Sequence, residues 1–325
     1  MATSLSRDDY RGIIGARTGL LRDNYLITPG LYCVGRPTDD SAILVTANYK
    51  LTFDLLRPEL DGLDVWILVV DTRGINVWCA AGKGTFSTAE IAYQVQRSRL
   101  MAVVKHRELI LPQCSAPGVS ALQLNNACGF TGIFGPIRAR DIRSFLASGR
   151  KADEAMRSVT FTLTERAVLI PVELFLLMKP LVLILTALLL ISGVGPDIWS
   201  LDRALHRGGV AVLVTMMGVL VGVVLVPLLL PCIPGRQFWL KGLLLGTPVG
   251  IFIVLRFWPL VGWTAMIGMA LWAMSVSSYL AMNFTGSTPY TSLSGVELEI
   301  RKGLAIQLIA AMLGLCCWLA GPFLL

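Results

Sequence analysis

One cysteine in this chain of 325 residues sits in a setting that suggests a chemical use. It lies in Asn76-Val77-Trp78-Cys79-Ala80-Ala81-Gly82-Lys83, which follows the apolar run 65–70 and the turn Asp71-Thr72-Arg73-Gly74. A run of β-branched and aromatic residues that ends in such a loop reads as a buried strand, and it delivers the loop to the edge where open α/β sheets hold ligands. If Asn76 caps a short helix, Val77, Trp78 and Cys79 fill its first three positions. Unpaired backbone N–H groups there favour a negative partner such as a thiolate. Gly82 then ends the helix.

Three readings compete. Free cysteine is among the most buried residue types, so Cys79 as a packed structural residue is the first. A phosphate loop over Ala81-Gly82-Lys83-Gly84-Thr85 is the second, and it fails. That motif needs glycine five residues ahead of the Gly of Gly-Lys and Ser or Thr directly after Lys, where Val77 and Gly84 stand. The third is a thiolate presented to a metal or cofactor. The two histidines, His106 and His206, lack the flanking residues of an Asp-x-His-x-x-Gly motif and read as surface residues.

The elements that must position this stretch fall in the first half of the chain. A hydrophobic content of 54% and a mean hydropathy of +0.67 are too apolar for an ordinary soluble protein. Through Arg166 there are 20 Lys/Arg and 16 Asp/Glu, against 8 and 5 afterwards, which divides the chain into a soluble domain 1–166 and a membrane domain 167–325. The net charge of +7 is spread out and partly flanks apolar spans, which argues against nucleic-acid binding. Residues 1–10 lack the apolar core of a secretory signal, so the first half is expected in the cytoplasm. Seven cysteines form neither a C-x-x-C pair nor a repeated spacing, so reduced thiols and no iron-sulfur ligand set are expected.

Residues up to Pro29 carry no clear signal. Beyond them strands are predicted at 31–34, 42–46, 65–70, 109–111 and 132–135, alternating with helices at 49–56, 88–97, 118–128 and 139–146. Ser87 and Glu90 form a capping box for the second of these helices. The alternation implies an α/β fold with a mostly parallel sheet. The loops 46–49, 112–118 and 135–138 are rich in Gly, Pro and small polar residues. Ordinary turn chemistry explains each one singly, but together with the Cys79 loop all would lie at the carboxyl ends of strands.

Five apolar spans follow, at about 167–191, 209–230, 238–255, 258–282 and 303–325. Glu173 and Lys179 interrupt the first, either as a functional pair or as a snorkelling one. Trp199, Trp239, Trp258 and Trp263 suit interfacial belts. With the first half inside, Arg236, Lys241, Arg301 and Lys302 face the cytoplasm and Arg203, Arg207 and Arg256 face out. The segment 283–297 is rich in hydroxyls and turn residues, as a solvated linker would be.

The octet 76–83 resembles the cap-helix signature of the HgcA family, the membrane corrinoid proteins of microbial mercury methylation. The loops between Thr46 and Leu146 resemble the corrinoid-embracing loops of the larger subunit of the corrinoid iron-sulfur protein, whose cap lacks the cysteine. Segment 283–297 is similar to a part of that subunit too, which suggests contact with the corrin side of the soluble half. The resemblance implies a Rossmann-like corrinoid-binding α/β domain followed by five transmembrane helices, with cobalamin or a related corrinoid as cofactor. Cys79 would be the cobalt ligand, from the lower face of a corrin whose own base is displaced. The cofactor-binding residues implied are Thr46, Asn48, Asn76, Val77, Trp78, Cys79, Ala80, Ala81, Gly82, Lys83, Gln113, Ala116, Pro117, Gly118, Gly135 and Pro136. The family's activity implies methyl transfer from methyl-cobalt(III) to mercury(II). Its partners would be a methyl donor of the folate pathway and a small ferredoxin-like protein with two [4Fe-4S] clusters that returns cobalt to its reduced state. Two alternatives stand beside it: a membrane-bound corrinoid carrier or sensor for another substrate, and a transporter whose cytoplasmic domain regulates it.

Overall fold

Six consecutive apolar residues, Val65–Val70, form the central support of the first half because they serve two faces at once. Leu68 and Val70 pack into one core cluster, and Val65, Ile67 and Val69 into another. A strand buried on both faces belongs inside a sheet covered by helices on both sides. The computed structural model describes residues 1–288 and 293–324. They form two units, Met1–Thr160 and Phe161–Leu325.

In the first unit the strands are β1 (Gly30–Val34), β2 (Ile43–Ala47), β3 (Val65–Val70), β4 (Glu108–Leu111) and β5 (Thr131–Phe134), in the order β1-β3-β2-β4-β5. Strands β2 to β5 are mutually parallel, and β1 is an antiparallel edge against β3, in register at Gly30↔Val69. The helices are α1 (Arg7–Arg17), α2 (Lys50–Leu56), α3 (Val77–Lys83), α4 (Thr88–Arg97), α5 (Leu100–Val103), α6 (Ala121–Cys128), α7 (Ile142–Ala147) and α8 (Glu154–Arg157). Phe53, Leu56, Ile142 and Phe145 of α2 and α7 cover one face of the sheet. Ile91, Val95, Leu100 and Leu124 of α4, α5 and α6 cover the other.

Local chemistry moves some boundaries. The helix expected from Gly118 begins at Ala121, because Ser120 caps it by accepting from the Gln123 amide at 3.4 Å. The Ser87 capping box is half formed. Ser87 accepts from the Glu90 amide at 3.3 Å, but the Glu90 carboxylate turns away to the Asp71 amide, also at 3.3 Å. The unassigned N-terminus forms α1, tied to α2 by ions. Lys50 Nζ lies 2.6 Å from Asp9 and 2.8 Å from Asp54, and Arg57 Nη2 lies 2.6 Å and 3.1 Å from the same two. Tyr25 donates its hydroxyl to the fully buried Asp54 at 2.6 Å.

The second unit contains α9 (Leu163–Ala167), α10 (Ile170–Ser192), a hairpin of β6 (Val194–Gly195) and β7 (Ile198–Trp199), and α11 (Leu201–Val219). A π-helical stretch Leu220–Leu225 joins α11 to α12 (Val226–Leu229); α13 (Phe238–Val261), α14 (Trp263–Asn283) and α15 (Leu293–Leu324) follow. Phe161 is buried in a core cluster of this unit, so the charged residues just after it belong with the helices rather than with the first unit.

Among the described residues five helical segments are long and apolar enough to cross a membrane: Leu163–Ser192, Leu201–Leu229, Phe238–Val261, Trp263–Gly286 and Gly295–Leu324. Their limits differ from the hydropathy reading. The second starts at Leu201, which puts His206 on a helix rather than in a loop. The third passes Arg256 and stops at Gly262, whose φ of 83° no helix accommodates. The fifth begins early enough to include Glu297, Glu299, Arg301 and Lys302. Lys241 and Arg207 are also within helices and buried, so neither is a loop charge. Lys241 donates to the carbonyls of Leu230 and Ile233. Lys179 is exposed on α10, and Glu173 lies at the start of that helix. Residues 289–292 of the hydroxyl-rich segment lie outside the described residues.

Candidate functional site

From β2 the chain crosses to β3 on one side and then returns to β4 on the other. The two neighbours β2 and β4 are in register at Leu44↔Ile110, whereas β2 and β3 pair from Ile43↔Trp66 to Ala47↔Val70. At such a reversal the loops diverge and leave a crevice at the carboxyl ends of the strands. The crevice is there, a cleft of about 390 Å³ walled by Leu44, Thr46, Ile110 and Pro112 of the β2 and β4 edges. Asn76, Val77 and Trp78 of the α3 entry form another wall, with Thr52 and Leu55 of α2, Cys114, and Pro136 to Ala139 completing it. The lining is largely apolar, Arg138 is its one charged member, and Trp78 and Leu55 are exposed at its mouth.

α3 forms as expected at its start. Asn76 is the N-cap, and its Oδ1 accepts from the Cys79 amide at 2.9 Å. Cys79 is half-buried at the third helical position, directly after the residues that wall the cleft. The donor on which the thiolate reading relied is thus partly spent, because Asn76 takes the amide of Cys79 itself. The end of the helix differs from expectation. It runs through Gly82 to Lys83, and Gly84 caps it in the left-handed conformation at φ 76°. Val77, Ala80 and Ala81 turn into the core at helical spacing, while Gly82 and Lys83 are exposed at the far end.

The remaining implied residues divide between cleft and scaffold. Thr46 and Pro136 line the cleft. Asn48 is buried and belongs to the scaffold. Its Oδ1 accepts from the Thr72 amide at 3.0 Å, the Thr72 hydroxyl at 2.9 Å and the Gly74 amide at 3.1 Å, while its Nδ2 donates to Asp71 at 3.0 Å. Gly118 is scaffold as well: a Cβ there would meet the Phe86 carbonyl at 2.4 Å and Ala81 at 2.9 Å, so this loop braces the back of α3. Gly135 packs on Ile110 and Phe145. Gln113 is half-buried and Ala116 and Pro117 are exposed on the loop after β4.

Sequence reasoning passed over Cys114, Thr52, Leu55 and Ile142 as cleft residues. Thr52, Leu55 and Leu56 have the three-and-four spacing of one helix face, a signal that was available. Burial, with the nearby Cys79 adding to it, pushes the Cys114 thiol up to about 11. His106 is tied down rather than free at the surface: Nε2 lies 2.9 Å from the Ser41 carbonyl, and Nδ1 accepts from the Glu108 amide at 3.3 Å.

A family model described as CO dehydrogenase/acetyl-CoA synthase delta subunit matches residues 23–146, the stretch that carries the sheet and the cleft. Among curated proteins, the chain is similar to acetyl-CoA decarbonylase/synthase complex subunit gamma of Methanopyrus kandleri, 32% identical over 93 residues, covering 28% of this chain and 20% of that protein. The same subunit of Archaeoglobus fulgidus is 25% identical over 122 residues, or 37% of this chain and 26% of that protein. That of Methanosarcina acetivorans is 34% identical over 91 residues, covering 27% and 19%. The chain thus spans about a fifth to a quarter of the length of these relatives.

Proposed function

We propose that this chain is a membrane-anchored corrinoid protein of methyl transfer, with mercury(II) as the methyl acceptor and Cys79 as the axial thiolate. The observation that carries the reading is the place of Cys79, half-buried on a capped helix beside the switch-point cleft. The donor set suits a corrinoid. Among the described residues no three His, Cys, Asp or Glu side chains converge as a metal site, so a metal held by Cys79 has to arrive with its own equatorial ligands. A corrin meets that need, and the open apolar wall of Trp78, Val77 and Leu55 suits one face of a flat macrocycle.

When bound, the corrinoid supplies a cobalt centre that accepts and releases a methyl group. Cys79 would hold that metal through its thiolate and lend it negative charge, as cysteine thiolates do to iron in some haem proteins. Trp78 and Val77 would exclude water from the contact, and the Gly118 loop would keep α3 from retreating. The five apolar helices would anchor the protein in the cytoplasmic membrane with the first unit inside. Electrons would come from a ferredoxin-like partner with two [4Fe-4S] clusters, and the methyl group from a folate-pathway donor. A second reading, a methyl carrier that serves another protein, draws support from relatives that are subunits of a larger complex.

The test uses the full chain in detergent, loaded with cobalamin and supplied with methyl groups and mercury(II). Cys79→Ala keeps nearly the same volume, so for a packed cysteine it should cost about 1 kcal/mol of stability and little activity. The proposal expects near-complete loss of methylmercury formation with corrinoid still partly retained. Cys79→His should restore coordination without restoring the rate. Methylation by Cys79→Ala near the parent's rate would sink the thiolate role. Corrinoid retention and methyl transfer to an acceptor other than mercury would favour the second reading.

A further inference from the structure

Arg203 and Arg207 stand one turn apart on α11, at the end of the second unit where α10 stops and α15 finishes. Arg207 is 6% exposed. Its guanidinium lies 4.3 Å over the Trp318 ring, and Nη2 donates to the Trp318 carbonyl. Its Nη1 is buried with no hydrogen-bond partner among the described residues. Arg203 lies under the β6–β7 hairpin, where Nε donates to the Gly193 carbonyl at 3.2 Å and Nη2 is buried with no hydrogen-bond partner among the described residues. Among the described residues the carboxylate within ion-pair distance of it is Asp197, 3.7 Å from Nη1 and 85% exposed, a weak match for two cations.

The surroundings are shaped to receive these groups. A Cβ at Gly195 would stand 2.5 Å from Arg203 Cζ, so a side chain there would push the guanidinium from its place under the hairpin. The next turn is strained. Ile198, β-branched and 85% exposed, is held at φ 69°, and such outliers persist where the surroundings over-determine them. Buried arginine N–H groups without an acceptor are costly, and a second negative group would relieve that cost.

We propose that Arg203 and Arg207 form a binding site for a phosphate group, that of an anionic phospholipid. Paired guanidinium forks match the geometry of phosphate oxygens. The site lies at the end of the helices that also holds the exposed Trp199 and the stacked pair Trp258 and Trp263, with ring centroids 4.6 Å apart. Tryptophan favours the level of lipid headgroups, where phosphate is abundant. Asp197 lies 3.7 Å from Nη1 of the same guanidinium, so its charge repels a phosphate bound at Nη2.

The test is native mass spectrometry of the full chain in neutral detergent, titrated with phosphatidylglycerol and, separately, with inorganic phosphate. One phosphatidylglycerol per chain should be retained, and Arg203→Gln should weaken it about tenfold. Arg203→Lys, which keeps the charge but not the fork, should fall between, and Asp197→Asn should tighten binding. Retention of inorganic phosphate alone, lost in Arg203→Gln, supports the site and makes free phosphate its occupant. If Arg203→Gln does not fold, Asp197→Asn and Arg203→Lys decide. The proposal is overturned if neither ligand is retained or if the substitutions leave affinity unchanged.

Discussion

The side chain of Asn48 holds Thr72 by both of its donors, accepting from the amide at 3.0 Å and the hydroxyl at 2.9 Å. Through this one residue the end of β2 dictates the path of the loop that leads from β3 to Cys79. Asn48→Ala would leave two amides, those of Thr72 and Gly74, unsatisfied in a buried place, while the Thr72 hydroxyl keeps the Ile75 carbonyl at 2.7 Å. A loss of about 2–4 kcal/mol is expected from the penalties for unmade hydrogen bonds. Thermal unfolding measures the loss, and faster proteolysis after the exposed Arg73 would show that the loop has come free.

Two glycines of the candidate site should respond in opposite ways to alanine. Gly118→Ala forces a Cβ to 2.4 Å from the Phe86 carbonyl, so the loop must move off α3 and the protein should lose stability. Gly82 lies inside α3 with open space around its Cβ direction. Gly82→Ala should therefore stabilise the chain, by about 0.5–1 kcal/mol from helix propensity. Paired denaturation curves test the contrast.

The ionic tie between α1 and α2 predicts a window of pH. Burial opposes ionisation of Asp9, but Lys50, Ser6 and Arg57 outweigh it and hold its carboxyl well below the usual range. For Lys50, burial disfavours the charge, and Asp54, Asp9 and Tyr25 outweigh it and push the ammonium above its usual range. A depressed carboxyl contributes stability that is present above its unfolded value, about 3.9, and is lost as pH falls. A raised ammonium contributes stability that is complete below about 10.4 and is lost as pH rises. α1 should thus stay docked between those limits and loosen outside them, as hydrogen exchange of residues 7–17 would reveal. Lys50→Met should narrow the window from the acid side, since Asp9 then keeps only Arg57 as a cation.

Cys114 should resist alkylation at neutral pH, because burial first and the neighbouring Cys79 next hold its thiol at about 11. Peptide mapping after iodoacetamide should show Cys114 modified only as the pH approaches that value. In Cys79→Ala the onset should move to lower pH.

In the second unit Glu299 serves as a cap supplied by another helix. Its carboxylate accepts from the Phe238 amide at 2.7 Å and 2.9 Å and from the Trp239 amide at 3.1 Å, where α13's own N-cap residue, Gln237, offers no side chain. Glu299→Ala should cost about 1–3 kcal/mol through unsatisfied donors, and Glu299→Gln, which keeps one acceptor oxygen, less. Melting in detergent should rank the parent first, then Gln, then Ala.

Local rules were enough to read the strands, the Asn76 cap and the five apolar helices. Each depends on residues close in the chain: the β-branched run at 65–70, an Asn ahead of a helix, or about twenty apolar residues in a row. The end of α3 shows where such reading stops. Both Gly82 and Gly84 could terminate a helix, and the structure selects Gly84, which takes the left-handed cap conformation, while Gly82 stays helical. Asn48, Gly118 and Cys114 show the same limit. Their types fit a ligand loop equally well, but partners far along the chain commit Asn48 to Thr72, set Gly118 against Ala81 and turn Cys114 to the cleft. Arg207 read as a charge facing out between spans, and packing buried it, as it buried Glu299, against backbone atoms of other helices. Hydrophobic period and capping act over a few residues and so are written in the order of the chain. Which polar group meets which orphan donor or carbonyl depends on distances closed only by the fold, so tertiary structure alone separated scaffold from cleft.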